Sequence, residues 1–239
     1  MLKAVFFDLD GTLLSIKDEE FVKLYFKLIT TKMINYGFEA EALIKNLWAG
    51  NKLMYNNDGS KTNEEVFWDY FKLAYGDDII NSKEEFDKFY TNEFKQINQC
   101  IKDNKISKEI VKYVKENKLL CILSTNPLFP RDCTLTRMSF NDLYEDDFDY
   151  ITSYENSNYT KPNPMYFQIL LDEFNLKPEE VILFGNNEYE DAWCANQLGI
   201  KTYLISEYLM ESDKLLEKAP IINLEDVIPT IENEILSRR

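Results

Sequence analysis

Two carboxylates one residue apart, Asp8 and Asp10, close the short apolar run Ala4-Val5-Phe6-Phe7, and Gly11 and Thr12 follow at once. A run without polar alternation and rich in β-formers reads as a strand buried on both faces. Both acids then leave the carboxyl end of a central strand, where open α/β sheets bind their ligands. A carboxylate placed there can attack a phosphoryl group, and the mixed anhydride that results splits one hard displacement into two easier ones. A second carboxylate two residues on can protonate a leaving oxygen and then take a proton from water. The competing reading makes both acids turn residues ahead of Gly11, since turns favour Asp and Gly. The preceding apolar strand and the following Thr12 weigh against it.

Three more segments set polar groups behind apolar runs. Residues 119–123 lead into Ser124, Thr125, Asn126 and Pro127; taken alone, this is also an ordinary turn. Lys161, in Thr160-Lys161-Pro162-Asn163-Pro164, stands just before a helix start, which proline favours. The positive end of a helix disfavours a cation, so a merely solvated lysine is the weaker reading there. Residues 181–184 lead into Gly185-Asn186-Asn187-Glu188-Tyr189-Glu190-Asp191.

Asp-x-Asp-Gly-Thr, then Thr-Asn, then Lys-Pro, then Gly-Asn with a later Asp, in that order over roughly residues 3–14 and 106–206, resembles the haloacid dehalogenase-like hydrolase superfamily. The resemblance implies Asp8 as nucleophile and Asp10 as acid/base. It implies Thr125, in preference to Ser124, and Lys161 as the groups that stabilise the phosphoryl, with Gly11, Thr12 and Asn126 beside the substrate. It implies Mg2+ held by the Asp8 carboxylate, the Asp10 backbone carbonyl and a cluster of Asn186, Asn187 and Asp191. The fourth motif departs from the family pattern, in which Gly-Asp precedes a second Asp. Here Asn stands at both candidate positions for the first acid, and Asp191 matches the second. An amide oxygen can serve a hard cation but brings no charge, so weaker metal binding is expected unless Glu188, Glu190 or Asp191 compensates.

The expected function is Mg-dependent hydrolysis of a small phosphate monoester through an aspartyl-phosphate. Two alternatives stay open: a catalytically poor protein that binds a phosphometabolite or a partner, and a phosphosugar mutase. Haloalkanoate dehalogenation is disfavoured, because members of the family that perform it lack the second aspartate, here Asp10.

Composition narrows the chemistry further. The 239 residues include no histidine, which removes the commonest general base and the Ser-His and Cys-His nucleophile systems. A formal charge of −15 disfavours nucleic acid or an anionic membrane face as partner. A small phosphorylated metabolite remains open, given a bound cation and local lysines. Cys100, Cys121, Cys133 and Cys194 lack metal-ligand spacing and read as reduced core residues of a cytoplasmic protein. No apolar stretch approaches the ~18 residues that span a bilayer. The first residues read as a strand, so no signal peptide is expected.

The elements that must position these groups follow from periodicity. Phe21, Leu24, Tyr25, Leu28 and Ile29 fall at helical spacing after Asp18, and a second helix is predicted over residues 40–55. Thr62 to Glu65 and Ser82 to Glu85 read as capping boxes opening two more helices, with a loop at residues 75–78 between them. Residues 107–117, 164–174 and 191–198 read as helices, and residues 119–123, 148–152, 181–184 and 201–205 as strands. Alternating helices and apolar strands predict an α/β fold, a doubly wound parallel sheet with a Rossmann-like core. The expected division is a discontinuous core, 1–15 and 105–239, with a small all-helical cap domain, 16–104, over the carboxyl edge of the sheet. Such a lid would exclude water and carry selectivity. Trp48, Phe67 and Trp68 are expected in the interior of that bundle, and Trp193 in helix packing. Arg131 and Arg137 are expected at the solvated surface, with contact to an anionic substrate as the alternative.

Overall fold

The first strand, β1 (Ala4–Phe7), is buried at every residue, as a run of apolar side chains on both faces requires. A computed structural model describes residues 1–102, 104–214 and 217–238. After β1 come α1 (Asp18–Met33), α2 (Ala40–Tyr55), α3 (Asn63–Tyr75) and α4 (Lys83–Thr91), then a 3-10 segment over Glu93–Cys100. The chain continues as α5 (Ile106–Glu116), β2 (Leu120–Leu123), α6 (Arg131–Ser139), β3 (Tyr150–Ile151), α7 (Met165–Glu173) and β4 (Val181–Gly185). A π-helical turn (Glu188–Trp193) runs into the short α8 (Cys194–Asn196), followed by β5 (Lys201–Ile205), β6 (Ile221–Ile222) and α9 (Val227–Ser237).

The strands form one sheet in the order β3-β2-β1-β4-β5-β6, and every neighbouring pair is parallel. This is the Rossmann-like α/β architecture expected. Alternate residues of a strand point to opposite faces, and each face here has its own helices. Ala4, Phe6, Ile122 and Leu183 pack with Phe167 and Leu170 of α7 and with Cys194 and Ala195 of α8. Val5, Phe7, Leu123 and Phe184 pack with α5, α6 and α9 through Ile110, Val114, Met138 and Ile231. That second cluster runs on into the helical block through Phe21, Ile29, Phe71, Phe89 and Phe94. Among the described residues, no helix is long and apolar enough to cross a membrane.

The chain leaves the sheet for the helical block and returns along adjacent paths. Ile16 bridges Ile101 in antiparallel fashion, Lys102 N–H donates to Ser15 O at 3.0 Å, and Asn104 Nδ2 to Ser15 Oγ at 3.3 Å. Two details of the block depart from expectation. The capping box at Thr62 and Glu65 forms, but Ser82 has helical backbone angles and makes no side-chain cap. The 3-10 turn Asp77–Ser82 already leads into α4, so Ser82 lacks the extended backbone from which a capping hydroxyl reaches back. Phe67 and Trp68 are buried as expected, whereas Trp48 is 52% exposed and faces a cavity.

At the other end of the chain, the predicted helix over 191–198 begins earlier, at Glu188, with a π turn. β6 and α9 extend the fold beyond the elements foreseen.

Candidate active site

β1 sits in the middle of the sheet, so its carboxyl end is flanked by those of β2 and β4. Asp8 N–H donates to Phe184 O at 2.9 Å and Ser124 N–H to Phe7 O at 2.7 Å, which pins three motif-bearing turns together. Asp8 is 7% exposed and opens into a cavity of about 220 Å³. Asp10, Thr125, Asn126, Lys161, Asn186, Asn187 and Asp191 line the same cavity. Trp48, Asn51 and Tyr55, spaced along one face of α2, form its opposite wall.

Lys161 is the hub. Its ammonium donates to Asp8 Oδ1 at 2.7 Å and to Asp191 Oδ1 at 2.6 Å, with all three groups buried. Burial alone would push the Lys161 pKa down; Asp191 and Asp8 outweigh it and hold the ammonium charged. The Asp8 carboxyl is pushed up to about 8, by burial first; Lys161 pulls it down and Asp191 pushes it up again. Asp10 is likewise raised by burial, against the pull of Arg137 and Lys161.

The second motif sorts its two hydroxyls by position. Ser124 Oγ is buried and donates to Phe7 O at 3.2 Å, whereas Thr125 lines the cavity. Thr125 is held through its carbonyl, which accepts from Thr152 Oγ1 at 2.7 Å and from the Tyr166 hydroxyl at 2.9 Å. Asn126 also reaches the cavity, but its amide is committed to the protein. Its Oδ1 accepts the Lys161 N–H at 3.2 Å, and its Nδ2 donates to Lys161 O at 3.2 Å and Glu190 Oε2 at 3.0 Å. Glu190, whose carboxyl burial raises, accepts in turn from the Tyr55 hydroxyl of α2 at 3.0 Å. Gly11 and Thr12 do not line the cavity. Gly11 N–H donates to Leu14 O at 2.8 Å, and its φ of +75° together with the close approach of Asn186 demands a residue without Cβ. Thr12 is buried below the turn.

In the fourth motif Asp191 and Asn187 serve the loop itself. Asp191 Oδ2 accepts from the N–H groups of Asn186 and Asn187, both at 3.0 Å, while its Oδ1 holds Lys161. Asn187 Oδ1 caps the π turn, accepting from Tyr189 N–H at 2.9 Å and Glu190 N–H at 3.0 Å. Gly185 allows this closeness, since a methyl there would overlap the Asp191 carboxylate. Gly185→Ala is therefore expected to cost about 1–3 kcal/mol, the scale of overpacking a tight site. A urea midpoint unchanged from wild type would contradict this.

Arg137 departs most from expectation. It is 1% exposed, and its guanidinium pairs with the Asp10 carboxylate. Nothing local marks it, because its partner lies 127 positions away. Arg131 meets the surface expectation and pairs with Glu145 at 2.7 Å.

Residues 2–206 match the model of the haloacid dehalogenase-like hydrolases. The chain belongs to that family. Two curated family relatives are phosphatases. The chain is 27% identical over 146 residues to the phosphorylated carbohydrates phosphatase of Thermotoga maritima, a match covering 60% of this chain and 66% of that one. It is 36% identical over 58 residues to the glyceraldehyde 3-phosphate phosphatase of Pyrococcus furiosus, a match of 24% of each chain. The matches thus span less than two thirds of these relatives' own lengths. The family fold extends over the whole molecule. A HAD phosphatase from Thermococcus onnurineus superposes with a TM-score of 0.61 at 17% identity, covering 96% of this chain and 98% of that one. The 2-haloacid dehalogenase of Pseudomonas syringae pv. Tomato DC3000 superposes over the full length of both chains with a TM-score of 0.65 at 16% identity.

Proposed function

We propose that this hydrolase cleaves a small phosphate monoester through an aspartyl-phosphate on Asp8, and that the helices over residues 16–104 act as its cap. The observation that carries the reading is the Asp8 carboxylate at the floor of the cavity, held by a buried ammonium, with Asp10 beside it. In the first step Asp8 attacks phosphorus and the ester P–O bond breaks, while Asp10 gives a proton to the departing oxygen. In the second, water attacks the same phosphorus, Asp10 takes the water's proton, and phosphate and free Asp8 result. Lys161, with Thr125 at the cavity wall, faces the charge that develops on the phosphoryl oxygens; such preorganised donors supply much of a site's catalytic power. The two phosphatase relatives, named for glyceraldehyde 3-phosphate and for phosphorylated carbohydrates, support a phosphorylated carbohydrate as substrate. Four free thiols are compatible with a reducing, cytoplasmic setting.

Family hydrolases generally use Mg2+. Among the described residues no group of three or more His, Cys, Asp or Glu is arranged to hold a metal. What this site offers is a set of hard oxygen donors of the type magnesium takes: the Asp8 carboxylate, the Asp10 carbonyl and the Asn186 amide. Asn187 and Asp191 drop out of the expected cluster, because their oxygens already accept N–H groups or hold Lys161. When bound, the cation would neutralise charge on the transferring phosphoryl. With a single carboxylate, weak binding is expected. Asn186→Asp, which puts a charge on the amide donor this site leaves for the cation, is expected to tighten magnesium by about tenfold, or about 1.4 kcal/mol. Calorimetric titration of the protein with magnesium alone reads this out, and an unchanged affinity would refute it.

The absence of a first acid at Asn186 and Asn187 also favours a second reading, a phosphometabolite-binding protein with little turnover. Assays of phosphorylated carbohydrates, with and without magnesium, separate the two. Magnesium-stimulated release of phosphate supports the phosphatase, whereas saturable binding without release supports the second reading.

A further inference from the structure

The cavity holds two buried cations, and each is assigned to a different carboxylate. Lys161 is spent on Asp8 and Asp191. Arg137 reaches Asp10 from α6 and is held by polar and aromatic neighbours. One terminal nitrogen pairs with Asp10 Oδ2, and the other donates to Thr134 Oγ1 at 3.3 Å. The guanidinium carbon lies 5.1 Å from the ring centroid of Phe129 and 5.8 Å from that of Phe21. Phe21 belongs to α1, so the helical block itself closes over the arginine. A planar, permanently charged fork between aromatic faces leaves little freedom to the carboxylate it grips.

Asp10 therefore has two unlike oxygens. Oδ2 belongs to the ion pair, while Oδ1 is buried with no hydrogen-bond partner in the protein. An acceptor left without a partner in a native interior calls for an explanation. Asp10 lines the same cavity as the Asp8 carboxylate, which supplies one.

We propose that Arg137 is the positioning residue for Asp10, occupying Oδ2 so that Oδ1 is the oxygen that hands its proton to the leaving group. This rests on the reading of Asp10 as acid/base. Arg137 does not touch the substrate in this scheme. It decides which oxygen of Asp10 carries the proton and where that oxygen stands. A carboxylate free to rotate would offer the correct oxygen only part of the time, and small misplacements of a catalytic group are costly.

Leaving-group dependence tests this, because a nitrophenolate departs without a proton and an alkoxide does not. Wild type, Asp10→Asn, Arg137→Gln and Arg137→Lys are compared by kcat/KM on 4-nitrophenyl phosphate and on glycerol 3-phosphate, with magnesium present. Positioned acid catalysis contributes about 10²–10⁴-fold. Arg137→Gln is accordingly expected to lose about 100-fold on the alkyl ester and less than about fivefold on the aryl ester. Arg137→Lys keeps the charge but gives up the planar fork, and an intermediate selective loss of about tenfold is expected. Should Arg137→Gln fail to fold, the Lys variant is scored by the same ratio between the two esters. Equal losses on both esters, or no loss, overturn the proposal. Where Asp10→Asn shows the selective loss and the Arg137 variants do not, the positioning role alone falls. If Asp10→Asn loses both esters equally, or wild type turns over neither, the acid/base reading falls and the proposal with it.

Discussion

Asp8→Asn is expected to abolish turnover, with kcat reduced by at least about 10⁴-fold, the scale on which removal of a covalent nucleophile is felt. The amide nitrogen and oxygen lack the charge needed to attack phosphorus, and no neighbouring group can substitute. Lys161 is a cation, Asp191 is held by two backbone N–H groups, and Asp10 is engaged by Arg137. Fold loss would not explain such a result, because the substitution is nearly isosteric and Asn can still accept from Lys161. Its stability has a defined pH dependence. In the fold the Asp8 carboxyl is raised from 3.8 to about 8, so the native state binds this proton more tightly than the unfolded chain. The stability tied to that proton is complete below about pH 4 and lost as the pH climbs through about 8. Asparagine stays neutral throughout. The variant's melting temperature should therefore gain on wild type between those two values and then level off. Phosphate release is followed at fixed magnesium, and melting curves at several pH values test the fold. Residual turnover at a tenth of wild type would place the chemistry elsewhere.

Lys161→Met is expected to have the second largest effect, and on stability the largest. Removing the ammonium leaves Asp8 and Asp191 facing each other in a buried site without the charge between them. Breaking a buried ion pair from one side costs about 3–5 kcal/mol, because the remaining charge is uncompensated. The Asp8 carboxyl answers by protonating. Loss of a nearby cation raises the pKa of Asp8 further, so less of the nucleophile is ionised at any given pH. The rising limb of kcat/KM against pH should move upward, and kcat should fall about 10³-fold, the measure of one preorganised oxyanion partner. The variant's stability should be greatest in mild acid and decline as the pH rises through the raised carboxyl pKa. Chemical denaturation at pH 5 and pH 8 checks this. Equal losses at both values would show that Lys161 acts through packing alone.

Asp8, Asp10 and Lys161 were legible from the chain because each stands next to a local signal. Asp8 and Asp10 follow an apolar strand, and Lys161 precedes a proline-marked helix start. The span of α2 was equally legible, since Leu43, Leu47, Gly50 and Met54 repeat its buried face and Asn56 and Asn57 end it. Residues close in sequence determine such patterns, so the parallel sheet and the carboxylate pair at its centre follow from the amino-acid order alone. The tertiary structure decided how the remaining groups are used. Arg137 became the partner of Asp10, Trp48 a cavity wall, Asn187 a cap and Asp191 the anchor of Lys161. β6, two residues long, has no periodicity to read and exists by pairing with β5. Charge, burial and hydrogen-bond commitment depend on partners brought together from distant positions, and those partners meet only once the chain has folded.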